Sequence, residues 1–256
     1  MNADKNKNGL EIIFTEDHYH AHSLESNGKI VKSFFKELTT NIYNSSFDYT
    51  KEYYTIMKGT KRVNNREKIP LVLVERNLYS IVASAICQQS KVHLSELRFN
   101  KKKYPSLLKN RSVDFWCMYK QKDTKHSKPV NFYIELKRCR YDLNKTKVEP
   151  SQVLLNFIND LNNQLKNIID VSNKRTIYDD IYLGLVVVPA LYNADKDQNN
   201  SNDTLHNILS GVMNNHGVDN YLISTWHLPT DDMFRLEKKQ CRFVSILGFP
   251  ISVPRE

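Results

Sequence analysis

Two carboxylates and an amine near the middle of the chain, Asp114, Glu135 and Lys137, have the types and spacing from which a phosphoryl-transfer site can be built. Carboxylates are hard oxygen ligands. They suit Mg²⁺, which keeps several waters and binds through one or two acids plus substrate phosphates. A cation held there lowers the pKa of a bound water and polarises a phosphoryl oxygen. A neighbouring lysine positions that water or neutralises charge developing on the phosphate.

The elements that must position them read as a hairpin. Ser112–Tyr119 and Val130–Cys139 are rich in aromatic and β-branched residues, as a half-buried pleated surface favours. The polar stretch between them, closing on Pro129, suits a hairpin loop. Side chains alternate along a strand. Phe132, Ile134 and Leu136 therefore share one face and Tyr133, Glu135 and Lys137 the other. Antiparallel pairing would bring Asp114 beside Glu135. Other acid-x-lysine triplets, at Asp123–Lys125 and Glu237–Lys239, fall in polar segments, so only Glu135–Lys137 lies in an apolar strand.

On these residues the chain resembles the PD-(D/E)xK nuclease superfamily, with Asp114 in Arg111-Ser112-Val113-Asp114-Phe115-Trp116 and the trio Glu135-Leu136-Lys137. Val113 stands where the motif has proline. The resemblance covers residues 71 to 190, approximately, and implies an α/β fold with a restriction-endonuclease-like αβββαβ core, its mixed central sheet flanked by helices. It implies a Mg²⁺-dependent endonuclease of restriction or defence type, with Mn²⁺ as a substitute and DNA a better substrate than RNA. Asp114, Glu135 and the backbone carbonyl of Leu136 would hold the metal, and Lys137 would serve the attacking water or the phosphate. Glu75 resembles the helix-borne glutamate that many members place before the metal-binding strands, and Gln164 lies on the following helix, where some members carry an accessory residue. A restriction enzyme needs a homodimer or a recognition region. The rival reading is a catalytically inactive nucleic-acid-binding or protein-interaction module of the same fold.

The chain has 256 residues, enough to bury a sizeable core. Its formal net charge of +9 favours a polyanionic partner. Arg111, Lys101, Lys102, Lys103, Arg138 and Arg140 are the expected phosphate contacts. The four cysteines show no paired spacing and read as buried, reduced thiols rather than a disulfide framework or zinc site. No apolar run is long enough to span a membrane and the first residues show no hydrophobic signal core, so the expected location is cytoplasmic, away from membranes.

In chain order, residues 1–24 are expected to be a tail with a short strand at Leu10–Phe14, and residues 25–256 a single domain. His18, His20 and His22 alternate in what reads as a polar loop. Helices are expected over Lys29–Leu38, towards Met57, and over Leu71–Val92, with Glu75 and Tyr79 on one side of the last. Leu94–Asn110 reads as a basic connection. A long helix opens at Glu149-Pro150-Ser151 and carries an apolar stripe from Val153 to Ile169. Ile181–Ala190 reads as a strand buried on both faces. After a loop over Tyr192–Thr204 come a helix at Leu205–Met213, strands at Tyr221–Trp226 and Arg242–Leu247, and a tail from Phe249.

Overall fold

The computed structural model describes residues 2–5, 11–15, 28–57, 71, 75–99, 111–121, 128–143, 148–172, 179–193, 202–218, 220–228, 235–236 and 239–252. The fold is α/β, a mixed sheet flanked by helices. Its strands are β1 (Asn2–Lys5), β2 (Glu11–Thr15), β3 (His93–Phe99), β4 (Arg111–Tyr119), β5 (Val130–Arg138), β6 (Tyr141–Asp142), β7 (Asp179–Asn193), β8 (Leu222–His227), β9 (Arg235–Leu236) and β10 (Lys239–Ser252). The helices are α1 (Gly28–Met57), α2 (Glu75–Gln89), α3 (Val148–Ser172) and α4 (Asn202–Asn215). The sheet runs β1-β2-β8-β10-β7-β5-β4-β3, with β6 beside β7 and β9 beside β10.

The expected hairpin is β4–β5, antiparallel from Phe115↔Ile134 to Tyr119↔Val130. Next to it β7 runs parallel to β5, because α3 crosses over between them. β7 is buried from Asp180 to Leu191, as its continuous apolar run requires. Alternation along β5 sends Phe132, Ile134 and Leu136 into one core with α1 and α2, where Phe34 stacks on Phe132 with ring centroids 3.8 Å apart. On the other face Leu154, Ile158, Leu161 and Leu165 of α3 and Leu205, Leu209 and Met213 of α4 build a second core. Each fully buried aliphatic side chain contributes about 1.5–3 kcal/mol through the water it sheds. Two glycines set how closely the layers approach. A Cβ on Gly184 would collide with Leu161 of α3, and one on Gly248 with the Phe35 ring of α1.

Several expectations need correcting. The stretch read as separate segments before Gly59 is one helix of 30 residues. Its polar middle stays helical because Leu38, Ile42 and Tyr43 keep one face buried in the core, while the Thr39 and Thr40 hydroxyls satisfy themselves on the Phe35 and Lys36 carbonyls, at 2.9 and 2.8 Å. α2 begins at Glu75 and ends at Gln89, shorter than Leu71–Val92. The connection expected from Leu94 opens instead with β3, an edge strand whose mostly exposed residues hide its periodicity. Asn2–Lys5 is not tail but pairs with β2. β10 continues through Phe249 and Pro250 to Ser252 rather than stopping at Leu247. Val153, placed in the apolar stripe of α3, is exposed, and so is Cys87, whereas Cys117, Cys139 and Cys241 are buried as expected. No helix among the described residues is long and apolar enough to cross a membrane. His18, His20 and His22 lie outside the described residues.

Candidate active site

The site is made by strands parting. β4 and β5 both continue beyond Phe115↔Ile134, but their ladder ends there. On its other side β4 pairs with β3 at Ser95↔Phe115 and again at Leu97↔Val113, skipping the Glu96–Asp114 step. Glu96 adopts a φ of 54°, the left-handed region that a non-glycine residue seldom occupies. Phe115 faces the first core and Val113 the second, although residues two apart on a regular strand share a face. Asp114 sits at this break.

Parting the strands frees main-chain amides on the β4 edge of β5, and buried amides need acceptors. Two carboxylates take them. The Leu136 N–H donates to Asp114 Oδ2 at 2.7 Å, and the Arg138 N–H donates to Glu75 Oε2 at 3.2 Å. The N–H and C=O of one residue leave a strand on the same edge, so the Leu136 carbonyl is directed to the same opening as Asp114. Glu75 is the first residue of α2, and Tyr79, one turn on, donates its hydroxyl to Asp114 Oδ1. Both oxygens of Asp114 are thereby fixed.

Glu135 and Lys137 share a face as alternation requires, with Lys137 Nζ donating to Glu135 Oε1 at 3.0 Å. Glu135 is 5% exposed, and its second oxygen, Oε2, is buried with no hydrogen-bond partner among the described residues. Burial, and then the nearby Asp114 charge, push the Glu135 carboxyl up to about 7, against the downward pull of Lys137 and, more weakly, of the Asp114 main-chain amide. Burial also raises Asp114, although the Tyr79 hydroxyl, the Leu136 amide and Lys137 oppose it. For Lys137 burial acts downward but is outweighed by the Glu135 carboxylate, its hydrogen bond, and the charges of Glu75 and Asp114, so the amine stays an ammonium. Tyr79 is raised by burial, by its bond to Asp114 and by the surrounding carboxylates, which keeps it a neutral donor.

The structure thus assembles Asp114, Glu135, Lys137, Leu136 and Glu75. It does not bring Gln164 to them: that side chain is half-buried on α3 and makes no hydrogen bond to the acids or the lysine. Arg138 is half-buried at the end of β5 and Arg140 is exposed just beyond it. Arg111 opens β4, its side chain outside the described residues, as are Lys101, Lys102 and Lys103 altogether. Two residues join the site without having been assigned a part in it. Tyr79 had a signal, its spacing of four from Glu75 on a helix. Glu96 had none, and its charge acts on Asp114 from the neighbouring strand.

The donor set fits a hard divalent cation. Asp114 and Glu135 supply carboxylate oxygens, one of them buried and unpartnered, and Leu136 a carbonyl. No group of three or more His, Cys, Asp or Glu side chains arranged to hold a metal occurs among the described residues, so water or substrate oxygens would complete the shell. No protein-family model, curated protein or solved structure matches the chain.

Proposed function

We propose that the chain is a Mg²⁺-dependent nuclease that hydrolyses phosphodiester bonds, a DNA endonuclease of restriction or defence type on a restriction-endonuclease-like core. Apart from the two-residue β6 between β5 and α3, the order α2-β3-β4-β5-α3-β7 supports the αβββαβ reading. The single observation that carries the function is Glu135, a buried carboxylate with one oxygen on Lys137 and the other unpartnered, beside an Asp114 held at both oxygens. Leaving a buried carboxylate oxygen bare costs free energy; a proton offsets it at low pH, and once the group ionises a cation does.

Mg²⁺, bound through Asp114, Glu135 and the Leu136 carbonyl, would supply an acidified water and neutralise phosphoryl charge. The remaining work belongs to the chain. Lys137, kept protonated by the acids around it, offers donors for the attacking water or for charge that grows on the phosphoryl oxygens. Tyr79 and the Leu136 amide hold Asp114 in one orientation, so no reorganisation is needed when substrate arrives. Glu75 fixes the end of β5 through the Arg138 amide, which makes it a positioning residue.

A second reading has one observation in its favour: Asp114 and Glu75 each satisfy a main-chain amide, a purely structural task. An inactive nucleic-acid-binding or protein-interaction module would keep them for that alone. Incubating the protein with plasmid, linear DNA and RNA, with Mg²⁺ and with EDTA, separates the two. The nuclease reading expects scission of DNA that EDTA abolishes; intact substrates of all three kinds under Mg²⁺ would overturn it.

A further inference from the structure

Away from the acids, the turn between α2 and β3 holds a thiol and an imidazole in contact. Cys87 lies in the last turn of α2 and is exposed, and His93 is the first residue of β3. Cys87 Sγ is 3.0 Å from His93 Nε2, and His93 Nδ1 is 3.2 Å from the Ser90 carbonyl oxygen. A carbonyl can only accept, so Nδ1 donates to it. That tautomer turns the Nε2 lone pair to the thiol, as a base for its proton.

The turn that fixes this geometry is itself pinned. Buried Ser90 donates its N–H to the Ile86 carbonyl at 2.8 Å, and its hydroxyl lies 2.9 Å from the Val92 and 2.6 Å from the Met118 carbonyl oxygen. The Met118 N–H donates to Val92 O at 2.9 Å, tying the turn to β4. A nucleophile within hydrogen-bond reach of a base that a third group orients is the arrangement that activates a thiol.

We propose that Cys87 is a modification site, a thiol activated by His93 for exchange with low-molecular-weight disulfides. The thiol proton passes to His93 Nε2. The thiolate attacks one sulfur of the disulfide, whose S–S bond breaks, and the departing thiolate takes a proton from His93 or water. Cys87 is oxidised to a mixed disulfide and the second sulfur of the reagent is reduced, so electrons balance. The other three cysteines cannot compete. Burial pushes the Cys117 thiol well up and raises Cys139 and Cys241 to about 12, and none of them is exposed. This site is independent of the nuclease reading.

The test uses 5,5′-dithiobis(2-nitrobenzoate) and oxidised glutathione on the native protein, with the modified peptide mapped by mass spectrometry. One thiol per chain, Cys87, should react, at least about tenfold faster than an unstructured cysteine peptide at the same pH, a threshold below the roughly 100-fold or more that a positioned base contributes. His93→Gln should remove that advantage, and Cys87→Ser should remove the fast phase. A Cys87 no faster than the peptide, or undiminished in His93→Gln, would overturn the proposal. If a variant unfolds, all its remaining thiols react together, and the comparison of native protein with peptide decides alone.

Discussion

Glu135→Gln isolates the cost of keeping a carboxylate ready for a cation. The native fold raises the Glu135 carboxyl from an ordinary 4.5 to about 7, chiefly through burial and then through Asp114. Each tenfold change in proton affinity is worth about 1.4 kcal/mol, so ionising this group costs the native state about 3 kcal/mol more than the unfolded chain. The sign follows from proton counts. Between those two values the native state holds a proton that the unfolded chain has released, so stability falls as pH rises. The contribution is complete below the unfolded value and lost once pH has passed the native one. Glutamine keeps an oxygen for Lys137 but cannot ionise. Urea unfolding in EDTA, followed by circular dichroism at about pH 5 and about pH 8, should show the parent losing about 3 kcal/mol more than the variant between the two. Equal losses in the two proteins would refute the claim that Glu135 carries a burial-raised charge.

Three further perturbations follow from the same geometry. Tyr79→Phe leaves Asp114 Oδ1 without its donor, which should cost about 1–3 kcal/mol in urea unfolding. It should also shift the acid limb of the cleavage profile upward, because that hydrogen bond holds the Asp114 carboxyl down. Asp114→Asn should abolish the rise in melting temperature that Mg²⁺ produces in the parent, read by differential scanning calorimetry. Gly184→Ala drives a methyl into Leu161 across from Glu135 and should cost about 1–3 kcal/mol; adding Leu161→Ala should recover part of it in a double-mutant cycle.

The β4–β5 hairpin, α3 and β7 could be read from the sequence because their side chains report burial directly: alternation in Phe132–Lys137, a stripe from Leu154 to Ile168, an unbroken apolar run over Ile181–Ala190. β3 could not, since an exposed edge strand of mostly polar residues carries no such pattern. The second half of β10, read as a tail from Phe249, carries Gly248 and Pro250, residue types that punctuate rather than extend a strand pattern; Gly248 lies close under Phe35. Asp114, Glu135 and Lys137 were legible because one hairpin carries all three. How they are held was not. The Tyr79 and Glu75 bonds span 35 and 63 residues and exist only because β4 leaves β5 at Asp114, an event no local pattern announces.

The most direct measurement is Mg²⁺-dependent scission of supercoiled plasmid by the parent and by Lys137→Ala, with Mg²⁺ binding to each followed by calorimetry. Both proteins should bind the cation, because the carboxylates are untouched, while cleavage by the variant falls by about 100-fold or more, the scale on which loss of one preorganised donor to a developing oxyanion acts. A variant that cuts as fast as its parent, or a parent that neither binds Mg²⁺ nor cuts, would contradict the assignment of these residues to phosphodiester hydrolysis.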